Sequence, residues 1–280
     1  MRPLSEIEES LRSRGIDYST PEFYNDPAFK RAEADDPIFL ENYAELIESQ
    51  TYSEAYIERV RAIVPKVVEF LSAELARDGR LGACIDASLV LTKILERLGI
   101  WNYVSGGSLT IDFDQDTGVG TRYWAHFVEP GAEAKVGHAW VTAPPFKVID
   151  LTIRQQQFTQ DQAPFLPRFV LSEQFTSVAG VSLDDMVDQD LQAKCRKAGI
   201  SPPSIHEFMR TDGRGAARFM NKIHPFAIRT ARATLKYFPC MMGAPLEAFE
   251  DHTGHCFSGR STAQVYSDLC VALGLPNASS

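Results

Sequence analysis

The 280-residue chain reads as an α+β protein in which helices come first, a sheet follows and helices return. Three observations carry that expectation. Apolar residues recur at helical spacing as far as Leu98, four runs between Trp101 and Ile153 are crowded with β-branched and aromatic residues, and helical spacing resumes near Leu183. Blocks of helix and strand, rather than strict alternation, favour α+β over α/β. Hydrophobic residues make up 44% and charged residues 23% of the chain, as in ordinary globular proteins. The length suits one large domain or a core with additions.

Taken in order, Ser5–Arg14 and Pro37–Ser49 are helix candidates in an N-terminal segment, 1–52. From Ser53 to Arg77 an apolar stripe of Ile57, Val60, Val64, Val67, Val68, Leu71 and Leu75 keeps helical period, and Pro65 is expected to kink it or to start a second helix. Asp78-Gly79-Arg80-Leu81-Gly82 breaks the pattern before a helix from Cys84 to Leu98, which Gly99 closes. Four mainly antiparallel strands follow at 101–113, 121–129, 136–142 and 146–153, separated by turn-forming clusters. A core over 53–175 therefore gives way to a C-terminal helical region, 176–280, with helical patterns at 183–198, 204–210, 214–222, 226–237 and 262–273.

Composition excludes several function classes. A net charge of −9 leaves no electrostatic footprint for nucleic acid or anionic lipid. No apolar run reaches the roughly 18 residues of a membrane span. The five cysteines (84, 195, 240, 256, 270) are odd in number and form no C-x-x-C pair, which argues against a disulfide framework and for a reducing compartment. The first ten residues lack an apolar signal region, so a cytoplasmic location is expected, with export by a non-Sec route left open.

Cys84 is the first candidate for chemistry. It opens a helix directly after Gly82-Ala83, on the same face as Leu91, Leu95 and Leu98. A helix start presents unpaired N–H groups and partial positive charge, which stabilise a thiolate and can hold an oxyanion. A cysteine on an apolar helix face is by itself a common buried hydrophobe, so a base must accompany it. His138 and Asp150 lie on consecutive strand candidates joined through Ala143-Pro144-Pro145. A hairpin symmetric about Pro144 makes them direct cross-strand partners on one face, with Cβ atoms roughly 4.5–5.5 Å apart. The carboxylate would then fix the imidazole tautomer and leave the other nitrogen to take the thiol proton. The bland reading is an ordinary solvated hairpin face.

Gly82-Ala83-Cys84-Ile85-Asp86, Leu95-Glu96-Arg97-Leu98-Gly99-Ile100 with Tyr103-Val104-Ser105-Gly106, Gly137-His138-Ala139-Trp140-Val141 and Val148-Ile149-Asp150-Leu151-Thr152 resemble, in order, the motifs of the transglutaminase-like superfamily. The resemblance covers roughly residues 66–155. It implies a papain-like core, with helical additions at both ends here, and a Cys84, His138, Asp150 triad working on an amide as peptidase, amidase, deamidase or protein cross-linker. More distantly, Arg80-Leu81-Gly82-Ala83-Cys84 resembles the cysteine segment of arylamine N-acetyltransferases. Trp101 and Leu151 stand where the family usually has proline, and no Gln precedes Cys84 as an oxyanion donor, which leaves that donor undetermined beyond the Cys84 N–H.

The expected substrate is an amide-bearing protein, peptide or small molecule, with no metal or organic cofactor required and the oligomeric state open. Trp140 and Trp124 are expected as core or pocket walls, and His126 as a pocket group or second-choice base without a matching acid. Asp86 reads as a first-turn acid. Two competing classes remain. One is a catalytically inactive binding module on the same fold; the other is a zinc-stabilised scaffold around His252, His255 and Cys256, whose spacing matches no recognised zinc site.

Overall fold

The computed structural model describes residues 2–128, 137–156, 162–244, 247, 249–253 and 256–275. It is α+β: an antiparallel sheet flanked by helices. Three N-terminal helices, α1 (Leu4–Arg12), α2 (Pro27–Asp35) and α3 (Glu41–Ser49), precede the long α4 (Glu54–Asp78) and then α5 (Cys84–Arg97). Pro65 lies inside α4 without dividing it. The loss of one backbone bond there is outweighed by packing, since Val60, Val64, Val67, Val68, Leu71 and Leu75 are all fully buried.

The strands are β1 (Tyr103–Phe113), β2 (Arg122–Trp124), β3 (His138–Ala143), β4 (Phe146–Asp150), β5 (Val170–Ser172), β6 (Thr176–Ser177), β7 (Phe226–Arg229) and β8 (Ala233–Gly243). Among the described residues the sheet order is β5-β4-β3-β1-β8-β7-β6, with β2 beside β3 on the same edge of β1. Short helices α6 (Leu183–Met186), α7 (Gln189–Lys197), α8 (Ile205–Arg210) and α9 (Arg214–Lys222) lie between β6 and β7, and α10 (Thr262–Leu273) follows β8. The strand expected at 121–129 is thus only three residues long within the described part, and residues 129–136 lie outside it.

The largest correction concerns 226–237. This stretch is the β7–β8 hairpin, not a helix, so 176–280 is not simply a helical region; it supplies the strand that pairs with β1 along nearly its whole length. Burial alternates as a strand requires, with Ala233, Leu235 and Tyr237 buried between the half-exposed Thr234 and Lys236. Thr230 closes the turn by donating to the Ala233 carbonyl at 2.9 Å. Pro239 is accommodated where the β1–β8 register shifts, opposite Gly106-Gly107. A Cβ on Gly107 would sit 2.0 Å from the Phe238 carbonyl oxygen, so only glycine permits this approach.

Side chains from α4, α5 and α10 pack with Ala139, Val141, Ala143, Ile149 and Leu151 into one core. The intervening Trp140 joins Leu109, Val148, Phe226 and Tyr237 in a second. The N-terminal helices form a third, closed by Tyr103 and Met242. No helix among the described residues is long and apolar enough to cross a membrane.

Candidate active site

Cys84 opens α5, as its position after the Gly82 turn requires. Its N-cap residue, Ala83, has no side-chain acceptor and so does not cap the first-turn N–H groups, and a helix start carries partial positive charge. The loop before Cys84 is tied to the loop after Asp150, because Gly82 N–H donates to the Gln155 carbonyl at 2.9 Å. That bond brings the two ends of the core together. Asp86 pairs with Arg80 at 3.2 Å and takes no part in the cluster.

His138 is the first residue of β3 and Asp150 the last of β4. Their pairing differs from expectation by two residues. Ala143 faces Phe146 across the Pro144-Pro145 turn, the register then shifts, and Val141 faces Ile149. Continued, this sets Asp150 opposite Trp140 and makes His138 its diagonal neighbour. Because the slip is two residues and side chains alternate with period two, both groups stay on one face. The imidazole bridges the longer gap: His138 Nε2–H donates to Asp150 Oδ2 at 2.7 Å, with both side chains fully buried.

Asp150 is held from three sides. The Thr152 N–H donates to Oδ1 at 3.0 Å, its hydroxyl lies 3.4 Å from the same oxygen, and the Tyr237 hydroxyl donates to Oδ2 at 3.1 Å. A carboxylate only accepts, so its bond to Nε2 places the proton there and leaves Nδ1 for the sulfur. The Cys84 thiol and the His138 imidazole are hydrogen-bonded to each other, and the Ala139 N–H also reaches the sulfur. Gln156 Nε2 lies 3.2 Å from Nδ1 and donates to Thr152 Oγ1 at 3.1 Å. Two indoles wall the imidazole: Trp124 meets it edge-on at 5.4 Å and Trp140 stacks at 6.2 Å.

Electrostatics follow from these contacts. Burial opposes ionisation of Cys84, but the His138 hydrogen bond and charge, with the Ala139 N–H, outweigh it and hold the thiol below its ordinary value. Burial likewise opposes protonation of His138, yet Asp150, by charge and hydrogen bond, and then Cys84 push it up to about 10. Cys240 and Cys256 are the contrast, since burial drives both thiols up to about 12. The arrangement can hold a thiolate beside an imidazolium.

No family model, curated protein or solved structure matches the chain.

The structure therefore brings Cys84, His138 and Asp150 together, with Trp124 and Trp140 around the imidazole. His126 goes elsewhere. Its ring packs edge-on against Phe127 at 5.0 Å, and it lines a cavity of about 440 Å³ with Glu41, Arg218, Cys240 and Met242, apart from the three clustered groups. Nor does the zinc reading gather support. His252 Nδ1 shares a 2.6 Å hydrogen bond with Thr262, Cys256 is buried in the core, and His255 lies outside the described residues. Among the described residues no three His, Cys, Asp or Glu side chains group to hold a metal. Three members of the cluster escaped the sequence reading. Thr152, two residues past Asp150, carries the signal of a local Asx-type bond; Tyr237 and Gln156 carry none until the β8 alternation or the loop path is known.

Proposed function

We propose that the protein is a cysteine-nucleophile acyl-transfer enzyme acting on an amide, built on a transglutaminase-like, papain-related core. One observation carries this reading: a thiol at a helix start whose ionisation its neighbours favour, bonded to an imidazole whose far nitrogen is committed to a buried carboxylate. In the mechanism, the Cys84 thiolate attacks the substrate carbonyl carbon and the C=O electron pair moves to oxygen, where the Cys84 N–H and its first-turn neighbours donate. As the oxyanion collapses, the C–N bond breaks and the departing amine takes the proton from His138 Nδ1. A thioester on Cys84 remains. Water or an amine then attacks that thioester and gives its proton to Nδ1, and the thiolate leaves with the imidazolium restored. Asp150 keeps the tautomer and orientation of His138 throughout.

Trapping the thioester tests the proposal. Incubation with an activated acyl ester or a glutaminyl peptide, acid quench and peptide mass spectrometry should place one acyl group on Cys84, lost in Cys84→Ala and released faster by hydroxylamine. An enzyme that never acylates Cys84 across a panel of amides and esters would leave the competing reading, a binding module. That reading draws on the 6% exposure of Cys84.

A further inference from the structure

Asp150 Oδ2 accepts two hydrogen bonds, from His138 Nε2–H at 2.7 Å and from the Tyr237 hydroxyl at 3.1 Å. Tyr237 comes from β8, remote in sequence from every motif of the cluster. Its ring is fully buried and fixed, stacked on Phe226 at 5.1 Å and edge-on to Trp140 at 5.0 Å. Burial first, and the Asp150 charge after it, keep this phenol well above its ordinary range, so it donates and does not ionise.

We propose that Tyr237, by sharing Asp150 Oδ2 with His138, is a positioning residue that limits how tightly the Asp150–His138 pair holds its proton. The inference rests on the acyl-transfer reading of this same site. Its physical basis is a difference between two states. With His138 protonated, the pair is neutral overall and Oδ2 is already compensated by the imidazolium. With His138 neutral, the pair carries a full negative charge and a second donor on Oδ2 is worth more. The Tyr237 hydroxyl therefore favours the deprotonated pair. An acid that never lets go of its proton cannot serve a leaving amine, and Asp150 and then Cys84, against the opposing effect of burial, have already driven His138 to about 10. Tyr237 offsets part of that. Among the described residues, the titratable groups facing His138 are Cys84 from α5, Asp150 from β4 and Tyr237 from β8; Gln156, Trp124 and Trp140 around it are uncharged.

Nitrogen-15 NMR of histidine-labelled protein reads the proton directly, with the His138 signals identified by their loss in His138→Gln. In Tyr237→Phe, which keeps the ring and its packing, the His138 midpoint should rise by about half to one pH unit, a threefold to tenfold tighter hold, as expected for one hydrogen bond at a buried charged group. Replacing tyrosine by 3-fluorotyrosine, a stronger donor, should lower it. A midpoint unchanged or lowered in Tyr237→Phe, or raised by fluorination, overturns the inference. Failure of the acyl-transfer reading would look different, with no thioester on Cys84 in the unaltered protein whatever the midpoint does.

Discussion

Asp150→Asn changes one atom and should disable the cluster. Thr152 N–H is a backbone donor fixed 3.0 Å from Oδ1, so the asparagine oxygen stays there and its NH₂ takes the place of Oδ2. That NH₂ now faces two donors, His138 Nε2–H and the Tyr237 hydroxyl. The imidazole relieves the conflict by moving its proton to Nδ1, where it can no longer accept one from Cys84. The energetic scale comes from His138 itself. Its rise from 6.5 to about 10 is a net effect of roughly 5 kcal/mol, what remains after Asp150 and Cys84 together have overcome the burial that opposes them. With the tautomer reversed as well, acylation of Cys84 should fall on the order of 10²–10⁴-fold. Iodoacetamide alkylation followed against pH by peptide mass spectrometry is the assay. In the native chain Cys84 should react selectively well below pH 8; in Asp150→Asn that acidic reactivity should vanish. Retention of the native pH profile would refute the argument that Asp150 governs the imidazole.

Three further outcomes are expected. Cys240 and Cys256, both pushed up to about 12 by burial, should resist alkylation at pH 8 until the protein is unfolded, which a urea series with the same mass readout checks. Gly107→Ala would force a Cβ to 2.0 Å from the Phe238 carbonyl and 3.0 Å from the Cys240 nitrogen, both backbone atoms that cannot rotate away, and should cost about 2–4 kcal/mol in urea unfolding. Burial raises Glu96 from 4.5 to about 7, although Tyr24 donates to it at 2.7 Å and Lys93 lies 3.5 Å away. Between those values the native state binds a proton that the unfolded chain has released, so stability falls as pH rises, by at most about 1.4 kcal/mol per pH unit for this one group. Glu96→Gln should flatten that slope in unfolding measured from pH 4.5 to 7.

Helices with a one-sided apolar stripe were legible from spacing alone. The α5 helix begins at Cys84 and α10 runs Thr262–Leu273, both where the pattern sets them. The 226–237 stretch misled because its Arg and aromatic residues satisfy either period. The ladder offered by β1 settles it as strand, and its pairs, from Phe113 with Ala233 to Val104 with Gly243, lie 120 to 139 residues apart in sequence. In the same way, the hairpin register could be wrong by two residues without moving His138 or Asp150 to another face, because the period of a strand is two.

What the sequence determined by itself is local: a cysteine at a helix start, and a histidine and an aspartate of matching parity on neighbouring strands. Helix dipoles, side-chain alternation and turn chemistry act over a few residues, so they are written in short stretches of chain. Tertiary structure decided the rest. It brought Tyr237 and Gln156 to the cluster, set His126 on a cavity that none of the three clustered groups lines and made a C-terminal hairpin the neighbour of β1. Those contacts depend on which distant strand completes the sheet and on burial raising or lowering each proton affinity, and neither is encoded at the position it affects.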